Sequence, residues 1–151
     1  STHVANQNDI AIHRSLMQQL LTVFEAGITL SRSQNELQAW KNSGDSERLY
    51  IANDRATSAI THIDEAIAGN DNRHYAFPYL GQLKIVRLET RQSADRLWEL
   101  AELAETNPTE ATKTADSFEQ TFENNIQNLR LIGGLYELEA NKIGGELDEN
   151  I

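Results

Sequence analysis

The chain is expected to be all-α, an antiparallel up-down-up-down four-helix bundle of long helices, and three features of the sequence predict it. Four segments place apolar residues at helical period. Only 8 Gly and 2 Pro punctuate 151 residues, which leaves few places to turn. The segments are joined by short connections, and short connections make consecutive helices antiparallel neighbours. At 151 residues the whole chain, 1–151, is read as one domain large enough for a real core.

The first helix is expected from about Asp9 to Lys41. Leu16, Leu20, Val23, Gly27, Leu30 and Leu37 form a seam, with a polar gap at Gln34. A second apolar row, Leu21, Phe24 and Ile28, lies beside it, and Arg32 stands one turn further along that row. The cluster Asn42 to Glu47 stops this helix at Gly44. Asp45 or Ser46 can cap the next one.

A second helix, about Ser46 to Ala68, carries Leu49, Ala52, Ala56, Ile60, Ile63 and Ile67 on one face, and Gly69 and Asn70 suit a left-handed ending. The third is expected from about Pro78 to Glu105. Its seam, Leu80, Leu83, Ala94, Leu97, Ala101 and Ala104, is interrupted by Arg87 and Thr90. Asn107 or Thr106 then caps a fourth helix, Pro108 to Glu149, with Pro108 early and Glu110 favoured by the helix dipole. Its Gly133-Gly134 pair recurs as Gly144-Gly145. Eleven residues is close to three full turns, so both pairs face the same way. The first and last helices would end at one pole, and the apolar pattern runs on to Leu147 and Ile151. The last helix is therefore expected to continue in a longer parent protein, of which a chain starting at Ser1 is an excised part.

Charge and composition exclude several functions. A net charge of −10 argues against nucleic acid and against an anionic membrane surface as partners. It leaves room for a small anion, because cationic side chains remain to line one local site. Without cysteine there are no disulfides or thiolate metal sites. No apolar run approaches the ~20 residues of a membrane span. None of His3, His13, His62 and His74 falls in a Glu-x-x-His pair, so no metal or other cofactor is expected. Phosphate-loop, nucleophile-elbow, zinc-protease and dinucleotide motifs are absent, and Ser31 and Ser33 have no neighbouring base. The chain is not read as an enzyme.

The polar residues inside apolar rows admit two readings each. Arg32 either snorkels from a flank or projects between helices to pair with a carboxylate. Arg87 either forms a structural ion pair, with Glu36, Asp95 or Glu123 as ready partners, or meets a ligand. Asn107 and Thr109 cap the fourth helix, and a cap can also hold an anion on unsatisfied amides. Trp40, Trp98 and the Phe118–Phe122 pair read as packing at the core or a helix junction.

Length, four helices, ends at one pole and a Gly44-Asp45 turn make the chain resemble the extracytoplasmic four-helix ligand-binding domains of bacterial chemoreceptors and sensor histidine kinases. "ITLSRS" (Ile28 to Ser33) looks like the first-helix segment of the aspartate and serine chemoreceptors, and "NPT" (Asn107 to Thr109) is similar to the start of their fourth helix. The resemblance implies that Arg32 holds a ligand carboxylate and that Thr109 and Asn107 contact the ligand amine. Arg87 joins them as a candidate. The family's flanking arginines would fall near Gly27 and Glu36, so its basic cluster is missing here. The resemblance further implies a periplasmic sensor, a homodimer with ligand at or near the subunit interface, and transmembrane helices outside residues 1–151. An amino acid, organic acid or inorganic anion would bind and displace a terminal helix. A different class of function fits the same residues: a soluble cytoplasmic interaction or adaptor bundle, whose acidic surface recruits basic partners without a small-molecule ligand.

Overall fold

The computed structural model describes residues 2–70 and 75–149, with side chains described for 7–70 and 75–145. Four helices make up the described chain: α1 (Thr2–Ser43), α2 (Glu47–Ala68), α3 (Leu80–Thr106) and α4 (Pro108–Glu149). Each packs against two neighbours, in the cycle α1–α2–α3–α4, with no diagonal contact among the described residues. This is the four-helix bundle that the periodicity predicts. The Asp71–His74 segment, Ile151 and the side chains of His3 and Leu147 lie outside what the structure describes.

Each boundary has a local cause. Gly44 takes φ +74°, the only positive φ among the described residues, and its N–H closes α1 on the Trp40 carbonyl at 2.7 Å. Asp45 caps α2 by accepting the Glu47 N–H at 3.1 Å, whereas Ser46 makes no capping bond. The end of α2 corrects the expected left-handed turn. Gly69 is right-handed, and the Asn70 amide takes over by reaching the Ala66 carbonyl at 3.0 Å. α3 begins at Leu80 rather than Pro78, because Pro78 and Tyr79 form the turn before it. Asn107 caps α4, its side-chain oxygen accepting the Glu110 N–H at 3.2 Å, with Pro108 at the first helical position.

The core is built from the expected seams. Leu16, Leu30 and Leu37 of α1 meet Leu49 and Ile63 of α2, Leu83 and Leu97 of α3, and Phe122, Leu129 and Tyr136 of α4, all essentially without solvent exposure. Trp40 is buried and Phe118 stacks on Phe122. Trp98 is different: it lies half out of the bundle, edge-on to Tyr50. Two buried hydroxyls tie neighbouring helices or turns, Ser33 donating to the Ala52 carbonyl at 2.6 Å and Thr90 to the Val86 carbonyl at 2.8 Å.

The two glycine pairs of α4 do keep the same facing, and each pair is split between two environments. Gly133 and Gly144 lie against Phe24 and His13 of α1, while Gly134 and Gly145 have nothing near the place a Cβ would occupy. Close packing therefore accounts for one glycine of each pair.

The helices are unequal in a way that matters. α1 and α4 have 42 residues each against 22 for α2 and 27 for α3. Beyond the end of α2, α1 and α4 run on as a pair for roughly 20 Å, with Ile12 and Ile143 buried and His13 against Gly144. A polar clamp closes the bundle where that pair emerges. Gln19 of α1 donates to the Gly69 carbonyl at 2.8 Å, and the Asn70 amide reaches both Gln19 Oε1 at 2.8 Å and the Tyr136 hydroxyl at 3.0 Å. Phe77 stacks flat on Tyr136 with ring centroids 3.7 Å apart, and the Tyr75 hydroxyl bonds the Glu139 carboxylate. Burial pushes the Tyr136 phenol up to about 12. Within the described residues no helix is long and apolar enough to cross a membrane.

Candidate functional site

A groove of about 540 Å³ opens between α1 and α4, midway along the bundle. Its floor is apolar, with Val23 and Gly27 from α1 and Leu129 from α4, and the exposed Ile28 and Phe24 wall it on the α1 side. Gly27 creates the space, since no atom lies within 4 Å of the place its Cβ would take. Two guanidinium groups stand at the rim, Arg32 on α1 and Arg130 on α4. Arg130 Nη2 donates to Ser31 Oγ at 3.1 Å, which fixes one side of the mouth. Arg32 is exposed and makes no ion pair among the described residues.

The electrostatics around the groove follow from short bonds rather than from burial. Glu123, about two turns from Arg130, is held below the usual carboxylate range by hydrogen bonds from Gln127 and Gln34, with Arg130's charge adding to them. Nearer the α1–α2 turn, Lys41 reaches Glu119 at 2.6 Å and Asp116 at 2.9 Å, and those bonds raise its pKa. The cations of the α1–α4 seam are thus consumed toward one pole and left open at Arg32. An arginine pair above an apolar floor can hold an anion that carries a hydrocarbon body.

The structure separates the residues that the sequence grouped together. Arg87 lies on the α2–α3 side of the bundle, where its guanidinium bridges Asp64 with Nε–Oδ1 at 2.5 Å and Nη2–Oδ2 at 3.2 Å. That pairing raises the Arg87 pKa. Its partner is none of the three acids expected: Glu36 bonds Arg48 and Glu123 serves Gln34 and Gln127. Asn107 and Thr109 are exposed at the start of α4, about 30 Å from Arg130 along the helix axis. Within one chain they share no pocket with Arg32. Arg130 is the residue that sequence reasoning missed. A lone arginine in "NLRLIGG" gives no periodic signal, and only the register of α4 against α1 brings it to the rim.

An apolar stripe borders the groove. Ile10, Met17, Leu21, Phe24 and Ile28 sit at steps of seven, four, three and four, and all are substantially exposed, Leu21 at 64% and Ile28 at 55%. Their exposure places this row on the solvent side of α1, with Phe24 leaning over Gly133 at the α4 edge. Phe24 and Ile28 belong both to the stripe and to the groove. The second apolar row of the sequence is therefore a surface. His62, on α2, stands 3.9 Å from both Glu25 and Glu65, and no cluster of metal-ligating side chains exists among the described residues.

Comparison with known proteins returns no matching family model, no matching curated protein and no matching solved structure.

Proposed function

We propose that the chain is the extracytoplasmic ligand-sensing domain of a bacterial transmembrane receptor of the chemoreceptor or sensor-kinase kind, binding a small organic anion and passing a helix shift toward the membrane. The observation that carries this reading is the α1–α4 groove with Arg32 and Arg130 over an apolar floor. It lies between the two helices that run past the rest of the bundle, so a ligand wedged there acts on the elements that lead outward. A ligand moves such a pair only by the difference in its affinity for two packings. The groove, with its hydrocarbon floor, favours a carboxylate with an apolar body, an organic acid or amino acid, over a bare inorganic ion.

A second copy of the chain is the proposed partner. The stripe from Ile10 to Ile28 repeats at coiled-coil spacing, so a two-fold pairing of α1 with α1 of another copy sets like apolar residues against each other. Phe24 and Ile28 would then be covered, and with them the mouth of the groove. The same stripe also supports the second reading, an interaction bundle that docks a partner's helix and needs no small ligand.

The test is a thermal-shift and calorimetric titration of residues 1–151 with hexanoate, malate, aspartate and nitrate. The expected result is a rise in melting temperature with at least one organic carboxylate, abolished by Arg32→Ala and by the plugging variant Gly27→Leu. If no carboxylate raises the melting temperature, or if the rise survives both variants, the anion site is wrong. Apolar spans flanking this segment in the full-length gene product would support the receptor reading over the adaptor reading.

A further inference from the structure

The α1–α4 groove changes character from one end to the other. α1 and α4 run antiparallel, so Phe24 stands against Gly133, while about two turns further along α1 Ser31 meets Arg130. The Phe24 end is hydrocarbon, with Ile28 beside it and bare backbone at Gly27. The Ser31 end is cationic, with Arg32 and Arg130 at the rim. Among the described residues no Asp or Glu lines the groove, so neither guanidinium is neutralised from within it.

Two details of the hydrocarbon end favour a ring over a chain. The first is Phe24, the one aromatic side chain that lines the groove among the described residues, left 41% exposed. Its ring is seated on α4. A Cβ at Gly133 would fall 2.8 Å from Phe24 Cε1 and 3.0 Å from Cδ1, so the glycine is what lets one edge of the ring lie against that helix. An aromatic partner gains from such a ring by edge-to-face or offset contact, beyond the area it buries. The second is Gly27, where no atom lies within 4 Å of the place a Cβ would take. The floor there is helix backbone, against which a planar body can lie flat.

We propose, resting on the anion site assigned to this groove, that its ligand is an arylalkanoate, with the ring on Gly27 against Phe24 and the carboxylate between Arg32 and Arg130. Gly27 and Ser31 are about 6 Å apart along the axis, a gap that a short alkyl linker between ring and carboxylate spans. The lining also selects by what it lacks. A dicarboxylate would set its second charge on the hydrocarbon end, and an amino acid would bring an ammonium to a groove lined by no carboxylate.

The experiment is isothermal titration calorimetry of residues 1–151 with 3-phenylpropionate and 3-cyclohexylpropionate, two acids that differ in the ring alone. The phenyl acid should bind about fivefold tighter, the effect of one well-placed aromatic pair, although the cyclohexyl acid is the more hydrophobic. Phe24→Leu keeps an apolar wall and should bring the two affinities level. Gly133→Ala, which drives the Phe24 ring off its seat, should lower the ratio as well. Arg32→Ala should weaken both acids and leave their ratio as it is, because the ring is recognised at the other end. The proposal is overturned if the cyclohexyl acid binds as tightly as the phenyl acid, or if the preference survives Phe24→Leu. Binding of both acids that still depends on Arg32 would then leave the anion site standing without its aromatic specificity. If neither acid binds, the anion site falls and the arylalkanoate with it.

Discussion

Gly134→Ala is expected to raise the melting temperature by about 3 °C. Gly134 lies inside α4, and an added Cβ would meet no atom within 4 Å. The change then registers helix propensity alone, where Ala is favoured over Gly by about 0.8–1.0 kcal/mol. An unfolding entropy of about 2.1 cal/mol/K per residue, over 151 residues, makes 1 kcal/mol worth about 3 °C. Gly145→Ala shares the open surroundings and should add a similar increment, since the two sites lie about 16 Å apart on the helix. Gly133→Ala is the contrast. Its Cβ would come 2.8 Å from Phe24 Cε1, so the ring must swing outward and most of the gain is cancelled. Differential scanning calorimetry of the three variants decides the matter. A fall in melting temperature for Gly134→Ala would refute the reasoning, because it would mean that something packs closely against this open face of α4.

The other predictions concern single contacts. Ser33→Ala removes a buried bond to the Ala52 carbonyl and should cost about 1 kcal/mol in urea unfolding. The raised phenol of Tyr136 stays protonated in the folded chain after the unfolded chain has ionised, so stability is held below about pH 10 and falls as pH climbs toward 12. Denaturation across that window should show a loss of about 2 kcal/mol, and Tyr136→Phe should flatten the slope. Leu21→Glu with Ile28→Glu alters only exposed positions of the stripe. Sedimentation should show this variant as a monomer with unchanged unfolding, at concentrations where the parent self-associates. In an intact receptor, alanine at Gly133, Gly134, Gly144 and Gly145 together should stiffen α4 and lock the output; unchanged output would remove any role for the glycines in signalling.

Much of the fold could be read from particular residues. Gly44 marked the end of α1, Asn107 and Pro108 the start of α4, and the Leu16 to Leu37 steps marked a core seam, because each of these is a local property of the chain. What stayed hidden depends on register between helices. Period alone places Leu21, Phe24 and Ile28 next to the seam, but only the positions of α2 and α4 show that this row faces outward. The Arg87–Asp64 bridge has the same origin, since two helices must be set side by side before a partner can be chosen. At Asn70 the local signal was read correctly as a helix end and wrongly as a backbone conformation, because its side chain does the capping. Thr90, Ser93 and Asn125, buried and joined by hydrogen bonds from Ser93 to Asn125 and from Asn125 to Thr90, showed in the sequence only as the interruption at Thr90.

The polar clamp at Asn70 has a mechanical consequence. It fastens α1, α4 and the end of α2 at one level, and a hydrogen bond of about 3 Å survives little more than half an ångström of stretch. α4 therefore cannot creep gradually along α1 there; it stays seated or it unseats Tyr136 from Asn70 in one step. Motion that leaves the clamp intact has to be angular. The roughly 20 Å of paired helix beyond it then works as a lever on a fulcrum, and a tilt of about 5° carries its tip about 2 Å. Any such tilt turns about the level where Asn70 holds the Tyr136 hydroxyl, which makes Tyr136 the pivot pin of the pair.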